Sequence, residues 1–550
     1  MNYRFKAALS GVAGGAVALG VAELVHGLYT LVPSLPVAVS QRVIELTPGG
    51  LATEAIGTMG QAATPVLVAV VLLATMLVCG LLAILSRRST LLALAGAVAL
   101  GALGLVAAFS EPSISVPVTL ITIVGALLAG VTVAGALLDR AGDASGVAAS
   151  GDASTETAQT PQQTEMAGTR RRDSGPGREI ALGRRGFLAL SGGAIAGGLA
   201  AAGAGRLLSG GDSQVASSGG AGQSLSGGSA SGGVSVDRLS PPPDSASIDV
   251  PGMPKLITPS DDFYLIDTAI SSPRIDRDQW TLSISGDEVS NPIKLSYDEL
   301  LSFSQLEADV TMSCVSNEVG GGLVSHGRWT GVLLSDVLEE AGIRRDNIGG
   351  ASEQLVGRAV DGWEAGFRTD IAFDGREAMV VFGLNGEELP AQHGYPVRLV
   401  VPGLYGYISA TKWLSEIELR SWDYDVYWIK RGWSKTGPVK TQSRIDTVSD
   451  GDEREAGTIP IGGVAWAPTR GIQRVEVSTD GGESWSDARL ATQLDVDAWR
   501  QYVYEWEAEP GEYTIQVRAT DGEGETQTSD RAEPIPSGAT GYHTMDVTVV

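Results

Sequence analysis

Thr311–Gly331 reads TMSCVSNEVGGGLVSHGRWTG, and it holds the one cysteine that lies outside a long apolar run. Cys314 follows a short β-type run, Asp309–Met312, and precedes a loop of Ser316, Asn317 and the glycines 320–322. A thiolate at a strand end, beside backbone that can approach closely, suits a soft metal. A lone cysteine is also commonly a small buried hydrophobe, so the stretch decides nothing by itself. Two further stretches add to it. One is His393–Trp413, HGYPVRLVVPGLYGYISATKW, and the other is Ser443–Asp446 with the β-rich segment that follows.

A chain of 550 residues is too long for one core, so two or more domains are expected. A net charge of −25 coexists with a mean hydropathy of +0.10, which requires that apolar and acidic residues be segregated. From Pro251 onward there are 25 Lys and Arg against 49 Asp and Glu, a balance of −24, whereas the first 250 residues hold 14 and 15. The C-terminal half is therefore an acidic soluble module, which argues against a nucleic-acid partner. Acidity with few lysines also points to solubility in concentrated salt, of the haloarchaeal type. Two cysteines leave no disulfide framework.

Residues 1–140 contain four near-continuous apolar runs, Tyr3–Val32, Thr64–Leu85, Thr90–Ser110 and Val116–Leu138. Each reaches the about 20 residues a membrane helix requires. Phe187–Leu208 is a fifth, rich in Ala and Gly. Arg4 and Lys6, Arg87 and Arg88, Arg140 with Arg170–Arg172, and Arg184 with Arg185 fall on one side if all five cross. The positive-inside rule then makes the N-terminus cytoplasmic and everything after Leu208 extracytoplasmic. Leu182–Leu190, LGRRGFLAL, pairs a twin arginine with a weakly apolar run, as in a twin-arginine export signal or a plain basic helix flank. The expected organisation is four membrane helices (1–140), a cytoplasmic flexible linker (141–182) and a twin-arginine-like fifth helix (183–208). A Gly/Ser-rich external linker (209–250), an α+β domain (251–434) and an all-β sandwich (435–550) complete it.

In the α+β part, Trp280–Ser285 alternates like a strand, Ser296–Ser302 carries a capped-helix pattern, and Leu334–Ala341 is amphipathic and stops at Gly342. Strands are expected at Glu353–Val360, Ala378–Phe382, Val397–Val401 and Trp413–Leu419. After about Lys435, strands at Thr458–Trp466, Ile472–Ser478, Arg500–Glu507 and Tyr513–Ala519 recur with turn signals such as Asp480-Gly481-Gly482.

Several of these motifs together carry a resemblance. Cys314 in its Asn/Gly loop, then Arg328-Trp329-Thr330-Gly331, His393-Gly394-x-Pro396-x-Arg398 and Pro402-Gly403, resemble the sulfite oxidase family of molybdopterin enzymes. The likeness runs from about Leu256 to Val550. It implies a molybdopterin-binding domain followed by an immunoglobulin-like domain through which the family forms homodimers.

The resemblance assigns roles. Cys314 is the expected molybdenum ligand. His393, Arg398 and Lys412 match positions that hold the pterin and its phosphate tail. Tyr407, Ile408 and Ser409 fall in the same loop, which is one residue longer here than in the animal enzymes. Tyr264, Asp267, Thr268 and Asp361 match pterin-facing positions, although ordinary turn or strand residues would look the same. Ile266 stands where the sulfite oxidases place a substrate-binding arginine. Trp433 aligns to the region of their substrate tyrosine, with Tyr427 close by, and Arg328, Arg368 and Lys430 with Arg431 are candidate replacement cations. The expected substrate is a small oxyanion or oxide.

The four histidines and two cysteines supply no haem or iron–sulfur set, so electrons are expected to pass to a separate electron-transfer protein. Three functions compete: sulfite-type oxidation, reduction of sulfoxides or similar oxides, and a non-catalytic anchored surface module with a decayed site.

Overall fold

The structure, a computed structural model, describes residues 3–29, 31–48, 51, 55, 62–109, 111, 114–143, 184–215 and 236–550. It forms two bodies, residues 1–46 with 59–215 and residues 47–58 with 216–550. The expected linker 141–182 lies outside the described residues, apart from 141–143, which continue a helix.

The first body is helical: α1 (Tyr3–Leu28), α2 (Leu35–Leu46), α3 (Ala63–Leu85), α4 (Thr90–Ala108), α5 (Val116–Asp143) and α6 (Arg184–Val215). Five helices among the described residues are long and apolar enough to cross a membrane; α2 is too short. Helix α1 packs against α3, α5 and α6 at backbone distance, because glycines face each other across it. A Cβ at Gly20 would overlap Gly198 of α6, and one at Gly27 would overlap Gly205. Such contacts associate helices where solvent gives no hydrophobic drive. One carboxyl is held inside: Glu23 accepts from Ser34 Oγ at 2.8 Å and lies 3.8 Å from Arg206.

The second body begins at 236. The expected linker 209–250 is corrected at both ends. Helix α6 runs on to Val215, and residues 236–250 are ordered against the module. There β1 (Val236–Asp237) pairs in parallel with residues 305–306, and Ile248 packs on Ala491 and Val503.

Two sheets build the first part. The larger contains β4 (Gln305–Ser313), β5 (Val324–Leu333), β8 (Met379–Leu384), β9 (Glu387–Glu388) and β10 (Arg398–Val400), ordered β1-β4-β5-β8-β10 with β9 on β8. The second has the order β3-β2-β11-β6-β7. Its strands are β2 (Thr281–Gly286), β3 (Ile293–Ser296), β6 (Gln354–Ala359), β7 (Glu364–Arg368) and β11 (Leu414–Arg420). Strand side chains alternate between faces, and the larger sheet is buried on both. Val332, Val380, Phe382 and Leu399 join Leu282, Ile284 and Leu355 in a core between the sheets. Ala308, Val310, Trp329, Met379, Val381 and Val400 point the other way, onto Phe263. The short helix α7 (Tyr297–Leu301) opens with a capping box between Ser296 and Glu299, and α8 (Leu334–Glu340) buries Leu334, Val337 and Leu338.

After Lys440 come two facing sheets. One runs β12-β14-β18-β17 and the other β13-β20-β19-β15-β16. Their strands are β12 (Gln442–Ile445), β13 (Asp452–Arg454), β14 (Gly457–Trp466), β15 (Ile472–Ser478), β16 (Ser486–Asp487), β17 (Arg489–Leu490), β18 (Arg500–Ala508), β19 (Gly511–Asp521) and β20 (His543–Val549). Ile445, Ile461, Val475, Tyr502, Ile515, Val517 and Val547 fill the space between them. The two halves of this body are joined at the end of β4: Thr311 N donates to Asp497 O at 2.9 Å, and Trp499 N donates to Thr311 Oγ1 at 2.7 Å.

Candidate active site

Cys314 sits just beyond β4, where the strand turns. Its amide donates to Leu323 O at 2.9 Å, and Asn317 Oδ1 accepts from Leu323 N at 2.7 Å, closing the loop 314–323. Gly320 has φ +79°, and a Cβ there would overlap the His543 ring of β20. Gly321 O accepts from Arg444 Nη1 at 3.1 Å. Burial raises the thiol's pKa, with hydrogen bonding to Ser316 and the charge of Lys412 opposing.

Around the sulfur stand groups from three segments. His393 is buried in the turn after a short 3-10 segment (Ala391–His393), with its ring 5.7 Å from Phe263. Burial first, then Arg398 and Lys412, push its pKa down to about 3, and its Nε2 has no partner. Arg398, on the same face of β10 as Val400, is only 4% exposed. Its guanidinium donates to His393 O at 3.0 Å, approaches Met312 Sδ at 3.9 Å, and lies 5.2 Å from the Trp329 ring centroid. None of these partners is a carboxylate, and burial lowers its pKa to about 10.

Lys412 donates to Asp267 Oδ2 at 2.8 Å and to Ile266 O at 3.1 Å, and the charge of Asp361 also reaches it. The 393–398 turn and Lys412 are close because Gly394 (φ +112°) lets the backbones approach. A Cβ there would lie 3.0 Å from Arg398 Cβ and 3.1 Å from Lys412 Cα. Tyr264, stacked on Phe263 and tied through its amide to Ser325 Oγ at 3.0 Å, completes the wall. Burial and the charge of Cys314 raise its pKa, and Arg398 opposes them.

Cys314, Tyr264, Asp267, Asp361, His393, Arg398 and Lys412 are thus brought together. Thr268, partly buried, follows Asp267 on the same segment.

Others named from the sequence are placed elsewhere. Arg328 is on the opposite face of β5 from Trp329 and is held by Asp309, so it is not a cation of this site. Tyr407, Ile408 and Ser409 form a four-residue helical turn (Gly406–Ser409) with all three side chains buried inward. Tyr407 Oη donates to Ser434 O at 2.7 Å, and Ser409 Oγ donates to Tyr405 O at 3.0 Å. Trp433 stacks on Trp428 at 4.1 Å and edges Tyr407 at 5.2 Å, which places it in an aromatic cluster behind that turn.

Sequence reasoning missed Tyr405, which is 3% exposed and whose pKa burial and the charge of Cys314 raise to about 12. It also missed Trp329 and Met312, which line the face of Arg398. The alternation of β4 and β5 around Cys314 was the signal available for these last two.

The donor set fits an anionic, metal-bearing pterin. Among the described residues, a thiol, a buried arginine that bonds no carboxylate and a buried imidazole nitrogen with no hydrogen-bond partner converge, and burying polar groups without such partners is costly. Comparison with known proteins agrees. Residues 269–428 match the model of the oxidoreductase molybdopterin binding domain, and residues 438–545 match that of the Mo-co oxidoreductase dimerisation domain.

Residues 269–545 belong to the sulfite oxidase family of molybdopterin oxidoreductases.

Mitochondrial sulfite oxidase of Rattus norvegicus is 30% identical over 324 residues, a match spanning 51% of this chain and 58% of the rat protein. NADH nitrate reductase of Spinacia oleracea is 26% identical over 272 residues, spanning 40% of this chain and 29% of that one. The chain thus spans little more than half of the rat relative's length. The crystal structure of the sulfane dehydrogenase SoxCD from Paracoccus pantotrophus aligns with a TM-score of 0.47 and 24% identity, covering 53% of this chain and 81% of that one. Cys314, His393, Arg398 and Lys412 all fall within the matched molybdopterin segment.

Proposed function

We propose that the chain is a membrane-anchored enzyme that moves one oxygen atom and two electrons, with sulfite oxidation as its nearest reaction. The observation that most supports this is Arg398, a buried guanidinium that among the described residues bonds no carboxylate, beside His393 Nε2, which has no hydrogen-bond partner among them. The molybdenum–molybdopterin cofactor, when bound, supplies the redox metal for oxygen transfer and carries an anionic phosphate tail.

Arg398 and Lys412 would take the phosphate, and His393 Nε2 would bond the pterin. Cys314 would ligate molybdenum, which would override the burial that now keeps its thiol protonated. Tyr264, Asp267, Thr268 and Asp361 would line the pterin, while Phe263 and Trp329 exclude water. Oxidation of sulfite to sulfate takes an oxygen from water and releases two protons and two electrons. A separate electron-transfer protein would accept the electrons.

In this reading α1, α3, α4, α5 and α6 anchor the enzyme, with a cytoplasmic N-terminus and the catalytic part outside. Arg184 and Arg185 serve twin-arginine export of a folded, loaded domain, and 438–550, read as an immunoglobulin-like sandwich, pairs two copies. Reduction of sulfoxides is the second reading. It is favoured by Leu265 and Ile266, which are 44% and 39% exposed beside the site where the resemblance places an arginine.

The test is molybdenum and pterin content of the detergent-solubilised full chain, wild type beside Cys314→Ser. About one molybdenum per chain, lost with the serine, is the expected result. A metal-free, pterin-free wild type from a host that makes the cofactor would sink the enzyme reading.

A further inference from the structure

We propose that Asp267 keeps the phosphate's place: its carboxylate occupies Lys412 until an incoming oxyanion displaces it and frees the segment 265–273. The inference rests on the reading above, in which Lys412 takes the cofactor's phosphate.

Two cations are neighbours in this wall. A Cβ at Gly394 would lie 3.0 Å from Arg398 Cβ and 3.1 Å from Lys412 Cα. Among the described residues Arg398 bonds no carboxylate, whereas the Lys412 ammonium is bracketed by Asp267 Oδ2 at 2.8 Å and Ile266 O at 3.1 Å. The ion pair is largely screened from water, its side chains 13% and 19% exposed. An ammonium is a compact charge with three donors, so a phosphate oxygen and a carboxylate oxygen compete for it directly. Asp267 is thus an internal anion on a cation that is read as holding an external one.

The segment that carries this carboxylate gives the exchange a consequence. Upstream, Tyr264 N is fixed to Ser325 Oγ, Thr258 N donates to His326 O at 2.8 Å, and His326 N donates to Thr258 Oγ1 at 3.2 Å. Downstream, Ile275 packs on the main core and Trp280 Nε1 donates to Leu414 O at 2.7 Å. Between these anchors residues 265–273 join no sheet. Among the described residues, the hydrogen bonds that tie 265–273 to the rest of the fold are the two that Lys412 donates. Ala269 N turns back to Asp267 Oδ1 at 3.0 Å, a bond within the segment itself. Leu265 and Ile266 leave much of their apolar surface outside, so little burial holds the stretch down.

Lys412 is therefore the clasp of this segment, and an oxyanion on its ammonium competes for both bonds at once. Ile266, at the position where the resemblance places an arginine, supplies one of the two acceptors. Filling the phosphate end of the site loosens that position, which couples cofactor loading to the segment beside the substrate end.

The experiment uses the full chain in detergent, made in a host without the cofactor, with inorganic phosphate as the probe and chloride matching the ionic strength. Wild type stands beside Asp267→Asn and Lys412→Met. Thermal midpoints against phosphate concentration give the affinity, and hydrogen exchange of peptides covering 265–273 reports the clasp. Asp267→Asn should bind phosphate about 10- to 100-fold more tightly than wild type, the gain from removing one charge-assisted competitor. Phosphate should speed exchange across 265–273 in wild type, and Lys412→Met should show that fast exchange without phosphate. Equal or weaker phosphate binding by Asp267→Asn, or exchange in 265–273 that phosphate leaves unchanged or slows, would overturn the proposal. Molybdenum and pterin in wild type from a cofactor-making host are measured alongside. A loaded wild type with no gain from Asp267→Asn overturns the clasp and keeps the enzyme reading. A wild type that shows the phosphate exchange yet takes up no cofactor keeps the clasp and overturns the enzyme reading.

Discussion

Arg328 and Asp309 face each other in register across β4 and β5 and share two bonds, Nε to Oδ1 at 3.0 Å and Nη2 to Oδ2 at 2.8 Å, on the side of the sheet away from Trp329. Their side chains are 14% and 5% exposed. Removing the arginine leaves Asp309 buried and unpaired, which costs about 2–4 kcal/mol. Arg328→Ala should therefore lower the thermal midpoint by several degrees while leaving the KM for an oxyanion unchanged. A large KM rise with unaltered stability would return Arg328 to the substrate.

Arg398 gives the opposite pattern. With Arg398 in the proposed phosphate-holding role, Arg398→Ala would remove a charge-assisted contact, so cofactor affinity should drop about 100-fold. Arg398→Lys should recover only part of that, because an ammonium cannot reproduce the fork. Molybdenum and pterin retained after gel filtration measure both.

The pH dependence of the cofactor-free chain follows from His393. Its pKa is about 3 in the fold against about 6.5 in an unfolded chain. Between these values the unfolded state binds the extra proton, so stability is full above pH 6.5 and is lost as pH falls. From pH 7 to 5 this group alone removes about 2 kcal/mol. His393→Gln should flatten that limb of a midpoint-against-pH curve. Equal slopes for wild type and variant would show that the ring is not held neutral. His326 and His543, both pushed down to about 4 by burial, add a residual slope.

Gly320→Ala meets two obstacles, a left-handed φ and the His543 ring. A cost of about 1–3 kcal/mol is expected. His543→Ala removes the second obstacle only, so the double variant should recover part of the loss. A double-mutant cycle of thermal midpoints reads the coupling directly.

Orientation has its own test. With Arg184 and Arg185 both replaced by lysine, the catalytic part should no longer reach the outer face, and a membrane-impermeant thiol reagent should fail to label a cysteine introduced at exposed Ser484. Labelling unchanged from the arginine form would end the twin-arginine reading.

Much of this was legible in the chain. The five apolar runs are helices, and strands such as Gly457–Trp466 and Ile472–Ser478 lie where alternation and turn residues put them. Strand β5 was not legible as an element, because glycines at 327 and 331 break its pattern. The start of the ordered module at 236 was hidden for a similar reason, since backbone pairing and single contacts such as Ile248 N to Gln501 Oε1 leave little composition to read. Cys314, His393, Arg398 and Lys412 were named from their motifs, and the fold brings them to one place. Parity defeated Arg328: one position from Trp329 on a strand is the opposite face. Tyr407 and Ser409 were misplaced because a short helical turn rolls them inward.

The seam between the two matched segments falls near residue 434, yet the bonds do not respect it. Thr311 leans on Asp497 and Trp499, and the loop after Cys314 rests on Arg444 and His543. A fragment ended at that seam would keep every presumed cofactor contact and lose the scaffold that holds the thiol loop in shape. The border in ancestry is therefore not a place where the protein can be cut. Any evolutionary exchange or engineered replacement of the C-terminal half must carry its own substitute for Arg444, Asp497, Trp499 and His543.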